Sequence, residues 1–430
     1  MLRFERDCKV NNNYFISKHL KKLFFNDYKL NVSNPSFFPH LFPFGGRPTG
    51  SMFFCIFAEN RIVQMKKSFL LLFLAVFALV PSYAGDKAPK NEKVKNVILI
   101  IGDGMGFGAS FSWMIDCNYA PTCFDRAQFV GVSKTYSANS RVTDSAASGT
   151  AMATGHKTNN SMLGMLPDGT KVPTIAELAK EKGLSTGIVV TSYVLDATPA
   201  AFFSHVENRG DRKGIEEDLL EMRPDILVGG GRKYFTEKKY VPENMIDRAV
   251  AEGFTYVSTP EEFYMIDKTP ILGLFSEESY PMAIERDTDF LTDATLHTLD
   301  VLDNNKKGFF AMIEGSHIDH ASHANNAEQL TWEMEEFDKM VNAAFDYADS
   351  HKGTLVIVTA DHETGGVDLL PGSKDFSKGD SGVDVHFSTT GHSASPVPIF
   401  AYGASAWKFG QVMENIDIFA KIKTLLIDKK

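Results

Sequence analysis

The chain is 430 residues long, 43% hydrophobic and 23% charged, with a formal net charge of −10 and four cysteines. Length alone suggests two or three domains. The acidic balance disfavours nucleic acid as a partner, so an anionic substrate has to be held by local positive charge, from metal ions or a placed arginine.

Residues 1–64 hold 11 of the 34 phenylalanines and show no helical or strand period. The run Asn34-Pro-Ser-Phe-Phe-Pro-His-Leu-Phe-Pro-Phe44 fits no secondary-structure pattern. Met65 then opens two lysines, an apolar stretch from Phe69 to Val80, and small residues at alternate positions ending at Ala84. That is the layout of a secretory signal peptide, and its apolar stretch is shorter than the roughly 20 residues a membrane span needs. The sequence therefore predicts a non-native, disordered upstream extension over 1–64 and a signal peptide over 65–84. One large domain over 85–430 follows, exported to the periplasm or secreted, with no stable membrane anchor after cleavage. That domain carries 33 basic and 50 acidic side chains, net −17. Two cysteines, Cys117 and Cys123, lie in it. In an oxidising compartment they could close a disulfide loop across five intervening residues.

Val94–Ile101 ends in a continuous apolar run, as in a strand buried on both faces, and leads into the tight turn Gly102-Asp-Gly-Met-Gly106. Similar runs recur at 185–191, 225–228, 308–313, 354–360 and 398–402. Helical patterns lie between them at 174–182 and 335–350, closed by Gly183 and Gly353. The alternation predicts an α/β fold with a doubly wound, mostly parallel central sheet flanked by helices. Ligands in such folds bind outside the carboxyl ends of the strands. Asp103, Glu314 and Asp361-His362 each follow an apolar run, which brings them to one edge.

Val142–Gly155 holds two serines, Ser145 and Ser148, with Asp144 directly before the first. Taken alone, this stretch reads as a small-residue helix packed on the sheet. Glu314–His323 (EGSHIDHASH) is the densest group of ligand-type residues. Asp319 and His323 are four apart and share one helix face. Asp361-His362 adds a carboxylate and an imidazole, and His392 adds another imidazole in a small-residue loop. Mixed Asp/His sets suit zinc, and Asp/Glu/hydroxyl sets suit magnesium. His317 and His386 are read as packed or surface residues rather than ligands.

Six blocks resemble the alkaline phosphatases, in that family's order: GDGMG at 102–106, VTDSAASGTAMATG at 142–155, LDATPAAFFSHVENR at 195–209, EGSHIDHASH at 314–323, TADHE at 359–363 and TGHS at 390–393. The resemblance, to secreted metal-dependent phosphatases of bacteria, implies an α/β/α sandwich that hydrolyses small phosphate monoesters through a phosphoserine. It implies Ser145 as nucleophile and Ser148 as a small packing residue. One zinc would be held by Asp319, His323 and His392, and a second by Asp103, Asp361 and His362, with Ser145 Oγ on the metal. Magnesium would be bridged by Asp103 and held by Thr198 and Glu314, with Asp196 supporting its waters. Arg209 would clamp the phosphate, oriented by Asp144.

His320 stands where the best-known bacterial members carry a lysine that reaches phosphate through water. Its combination with Asp196 is mixed within the family and leaves the third site's metal preference open. Cobalt could replace zinc. Many members form homodimers, and the sequence does not decide that here. Two alternatives stand beside this reading: a phosphodiesterase or sulfatase of the same superfamily, and a non-catalytic periplasmic phosphate- or metal-binding protein.

Overall fold

The apolar run Asn96–Gly102 forms strand β1, buried at every residue because both of its faces carry Val, Ile and Leu side chains. The computed structural model describes residues 92–286, 289–372 and 382–428. By its contacts the chain divides into Met1–Ala88 and Pro89–Lys430, and all described residues belong to the second unit. The upstream extension and signal peptide expected from the sequence lie outside the described residues.

After β1 come β2 (Phe129–Lys134), β3 (Ser185–Tyr193), β4 (Ile226–Gly230), β5 (Thr255–Val257), β6 (Ile271–Leu274), β7 (Phe309–Gly315) and β8 (Thr354–Thr359). The short pieces β9 (Glu363–Thr364), β10 (Val367–Pro371), β11 (Val383–Phe387) and β12 (His392–Ser393) precede β13 (Val397–Gly403) and β14 (Val412–Glu414). Ten of these build one sheet in the order β14-β2-β13-β8-β1-β7-β3-β4-β6-β5. Within it, β13 runs antiparallel to β2 and β8, and the remaining pairs are parallel. The expected doubly wound, mostly parallel sheet is what forms.

The sheet separates two cores. Along β1, Val97, Leu99 and Ile101 enter one, while Ile98 and Ile100 enter the other, as a two-residue period requires. The helices Ser145–Thr154 and Asn415–Ile422 pack on the first side, through Ala146, Met152, Ile418 and Ile422. The helices Phe290–Leu302 and Ala327–Ser350 pack on the second, through Leu291, Leu299, Met334 and Phe337.

Ile101 of β1 stands opposite Glu314 of β7 and Thr359 of β8. That register brings Asp103, Glu314 and Asp361 to the same carboxyl edge. Glu314 is the next-to-last residue of β7 rather than the first residue after it. Buried hydroxyls tie the strand ends together: Ser316 N–H donates to Thr191 Oγ1 at 2.9 Å, and Ser192 N–H donates to Ser316 Oγ at 3.1 Å.

The helix expected over 335–350 begins at Ala327, where Asn326 caps it by accepting from Gln329 N–H. Gly183 and Gly353 adopt φ values of +72° and +82°, the left-handed conformation expected after a helix end. Strands β2, β5, β6 and β14 have no counterpart in the sequence reading. They are short, and β2 is only partly buried, so none offers a long apolar run.

No S–S bond joins Cys117 and Cys123 in the structure. Cys117 closes the helix Phe107–Asp116, with its N–H on Trp113 O. Cys123 opens the next helix after the capping residue Thr122 and is buried in the second core. Its N–H donates to Asp338 Oδ1 at 2.6 Å, and burial with the Asp338 carboxylate beside it pushes the thiol well above its usual range. Capping and burial therefore hold Cys123 as a core residue.

Candidate active site

β1 ends where the chain turns through Asp103 and Gly104. Gly104 has φ +72°, and a Cβ there would lie 2.8 Å from Thr364 Oγ1 and 2.9 Å from Asp319 Oδ1. Its N–H donates to Asp361 Oδ1 at 3.1 Å, and its carbonyl accepts from Thr364 N–H at 3.1 Å. The turn thus joins β1 to the segment after β8.

The helix Ser145–Thr154 is buried along all ten residues, because its side chains are small enough for close packing. Asp144 is its N-cap, accepting from Ala147 N–H at 2.9 Å, and its other oxygen accepts from Ser161 N–H at 2.9 Å. Ser145 therefore stands at the positive end of the helix dipole. Its Oγ lies 3.1 Å from His362 Nε2. Ser148, one turn on, is more than a packing residue. Its Oγ donates to Asp361 O at 2.6 Å and accepts from Asn415 Nδ2 at 3.1 Å.

Three histidines meet the carboxylates in the same way. His323 Nδ1 donates to Thr390 O at 2.6 Å, and His392 Nδ1 donates to Thr143 O at 2.9 Å. Thr364 Oγ1 donates to Asp319 Oδ1 at 2.5 Å, so it accepts from His362 Nδ1 at 3.1 Å. With Nδ1 protonated in each neutral ring, every Nε2 presents a lone pair. Those of His323 and His392 face each other at 3.2 Å, with Asp319 oxygens 3.2 and 3.7 Å away. That of His362 lies 3.1 Å from Asp361 Oδ2 and 3.5 Å from Asp103 Oδ1.

Ligand atoms of Asp319, His323 and His392 all lie within 4.8 Å of one another, as do those of Asp103, Asp319 and His362. Asp319 thus sits between two groups. The sequence reading gave the second group Asp361 in its place, and Asp361 adjoins it through His362.

A third group adjoins Asp103. Thr198 Oγ1 donates to Asp103 Oδ2 at 3.3 Å. Glu314 is fully buried, and neither of its oxygens takes a hydrogen bond of acceptable geometry, nor do Asp103 Oδ1 and Asp361 Oδ2. Burial, and then repulsion from Asp361 and Asp319, raises Asp103 well above the usual carboxylate range. Burial, and then Asp196 and Asp361, does the same to Glu314. Both shifts have one meaning: the site draws positive charge. Lone pairs and carboxylate oxygens converging in one half-buried and two buried groups fit divalent cations, with imidazoles at two sites and only oxygens at the third.

Arg209 lies between two acids: Nη2 is 3.0 Å from Asp196 Oδ1, and Nη1 is 3.6 Å from Asp144 Oδ2. Tyr193 OH donates to the same Asp196 oxygen at 2.9 Å and accepts from Arg212 Nη2 at 2.8 Å. His320 lies on the helix His317–His323 with Asp319 and pairs with His317, their Nδ1 atoms 2.8 Å apart. Thr364, Tyr193, Arg212 and His317 were missed as supporting residues. Thr364, two positions after His362, is the one that proximity in sequence could have flagged.

Residues 94–379 match the family model described as alkaline phosphatase. Alkaline phosphatase 3 of Bacillus subtilis is 35% identical, over 80% of this chain and 74% of its own. Alkaline phosphatase of Escherichia coli is 30% identical, over 78% of this chain and 87% of its own. The solved alkaline phosphatase of the Antarctic bacterium TAB5 superposes with a TM-score of 0.74 at 35% identity, covering 79% of this chain and 100% of that one.

Proposed function

Since the chain belongs to the alkaline phosphatase family, a family of phosphomonoester hydrolases, we propose that it works through a phosphoserine on Ser145, at a site for two zinc ions and one magnesium. Asp319, His323 and His392 would hold one zinc, and Asp103, Asp361 and His362 the other. Asp103, Thr198 and Glu314 would hold the magnesium, with Asp196 nearby. When bound, such cations stabilise a serine alkoxide, neutralise phosphoryl oxygens and activate water. The observation that carries this reading is the shared posture of the three histidines, each with Nδ1 on an oxygen and Nε2 turned to carboxylates.

The chain's own residues then have defined parts. Asp144 fixes the first turn of the helix, so Ser145 Oγ is presented at its positive end. Asp144 and Asp196 hold the Arg209 guanidinium, a planar fork suited to two phosphoryl oxygens. Ser145 Oγ attacks phosphorus as the bond to the departing alkoxide breaks. The serine proton is lost to solvent, and the alcohol takes one up. Water then attacks the phosphoserine, the bond to Oγ breaks, and inorganic phosphate leaves while Arg209 steadies its oxygens. His320 reaches the phosphate from the helix that also carries Asp319.

Export to the periplasm or medium belongs to the same reading, supported by the Met65–Ala84 leader. Among the described residues no helix is long and apolar enough to cross a membrane. Comparing hydrolysis of nitrophenyl phosphate with that of its bis-ester tests the substrate class. The monoester should turn over much faster, and the reverse order would point to a phosphodiesterase.

A further inference from the structure

We propose that His317 is a positioning residue that fixes the ring and tautomer of His320; the inference rests on the placement of His320 at the substrate phosphate. His317 is 2% exposed, and its Nε2 lies 2.7 Å from the carbonyl oxygen of Tyr280. A carbonyl only accepts, so Nε2 carries a proton and donates. The Nδ1 of His317 and the Nδ1 of His320 are 2.8 Å apart, so one of them must donate to the other. His317 is buried with only a carbonyl and an imidazole as hydrogen-bond partners, so it is held neutral, and with Nε2 protonated its Nδ1 carries a lone pair. The proton therefore sits on His320 Nδ1, and His317 accepts. His320 is left to meet substrate through Nε2, in one ring orientation.

The far end of this chain of bonds is itself anchored. Tyr280 lies in the segment 276–286, and its ring packs against Phe290 with centroids 4.1 Å apart. Arg286 forks onto both oxygens of Glu336 at 2.5 Å each. Ala283 N–H donates to Glu333 Oε1 at 2.7 Å. Both acids belong to the helix Ala327–Ser350, so the segment bearing the Tyr280 carbonyl is pinned to a core helix. A group held this way can keep a phosphate-contacting side chain within the narrow tolerance that binding demands.

Two substitutions separate this role from a merely structural one. His317→Asn keeps an acceptor oxygen near the place of Nδ1 but cannot reach Tyr280. His317→Gln keeps an N–H near the place of Nε2 but offers His320 no acceptor. The readouts are KM, kcat, competitive inhibition by inorganic phosphate and calorimetric titration of inorganic phosphate, with melting temperature confirming the fold of each variant.

We expect His317→Asn to bind phosphate within about two-fold of the parent. His317→Gln should weaken phosphate binding and raise KM about five- to ten-fold, with a much smaller change in kcat. His320→Ala should do the same, and the double variant should add nothing further. Near-parental phosphate binding by His317→Gln, with loss in His317→Asn, would mean that His317 serves only the Tyr280 segment. If His320→Ala weakens phosphate binding and neither His317 variant does, the positioning role fails by itself. If His320→Ala leaves phosphate binding unchanged, the placement of His320 fails first.

Discussion

Ser148 Oγ donates a 2.6 Å hydrogen bond to the backbone carbonyl of Asp361, linking the helix that opens at Ser145 to the end of β8. The same hydroxyl accepts from Asn415 Nδ2, so the two serines of one helix turn have separate tasks. Ser145 faces the histidine, and Ser148 holds the scaffold that sets their spacing.

Replacing Ser148 with alanine strands the buried Asp361 carbonyl and leaves the Asn415 amide only its longer bond to Thr135 O. The expected cost is about 1–3 kcal/mol of stability, seen as a lower melting temperature, with kcat retained to within about ten-fold. A loss of kcat equal to that of Ser145→Ala at unchanged melting temperature would give Ser148 a chemical role.

Ser145→Ala should lower kcat by at least about 10³-fold while leaving phosphate affinity and metal content close to those of the parent. Mass spectrometry of acid-quenched enzyme should find a phosphorylated peptide containing Ser145 in the parent and none in the variant. Phosphate on another residue would move the nucleophile.

Gly104→Ala probes the turn under the proposed metal ligands. Its φ of +72° and the close approach of Thr364 and Asp319 make any side chain a strain of about 1–3 kcal/mol. The intrusion falls on the groups that orient His362 and Asp319, so weaker zinc retention should accompany the stability loss. Parental zinc affinity in a stable variant would show that the turn does not set the ligand geometry.

Glu216, in the helix Arg212–Met222, is fully buried with no hydrogen bond to either carboxylate oxygen. Burial first, then the Glu217 charge, pushes its carboxyl up to about 9 from 4.5. The folded state holds this proton where the unfolded chain has released it. Stability should therefore fall as pH rises through the window from about 4.5 to about 9. Glu216→Gln should melt near the parent at pH 4.5 and be more stable by at least ~1 kcal/mol at pH 9. A constant difference across that window would contradict the assignment.

The central strands and the edge they share were legible because β1, β3, β7 and β8 hold continuous apolar runs, and the runs of β1, β7 and β8 lead into Asp, Glu or His. The outer strands β2, β5, β6 and β14 were not, since β5, β6 and β14 span only three or four residues and β2 is half-exposed, which leaves no periodic signal. The residues proposed as ligands could be picked out by type and by family resemblance. Their orientation could not: which imidazole nitrogen faces inward depends on Thr143, Thr364 and Thr390, whose roles no local pattern announces. The buried acceptor on Ser148 was equally invisible, because its partner Asp361 lies 213 residues away. His317 looked like a packed residue and is packed, yet its second nitrogen meets His320. The burial of Cys123 was equally unannounced, because a short cysteine spacing says nothing about which side chain a helix cap turns into the core.

The most direct measurement is the metal content of the purified enzyme, taken together with activity as metal is withdrawn and restored. We predict two zinc ions and one magnesium per active chain, activity lost on chelation, and recovery on adding both metals. Undiminished phosphatase activity in protein stripped of divalent metal would contradict the account and leave the Ser145–His362 contact as a dyad acting without metals.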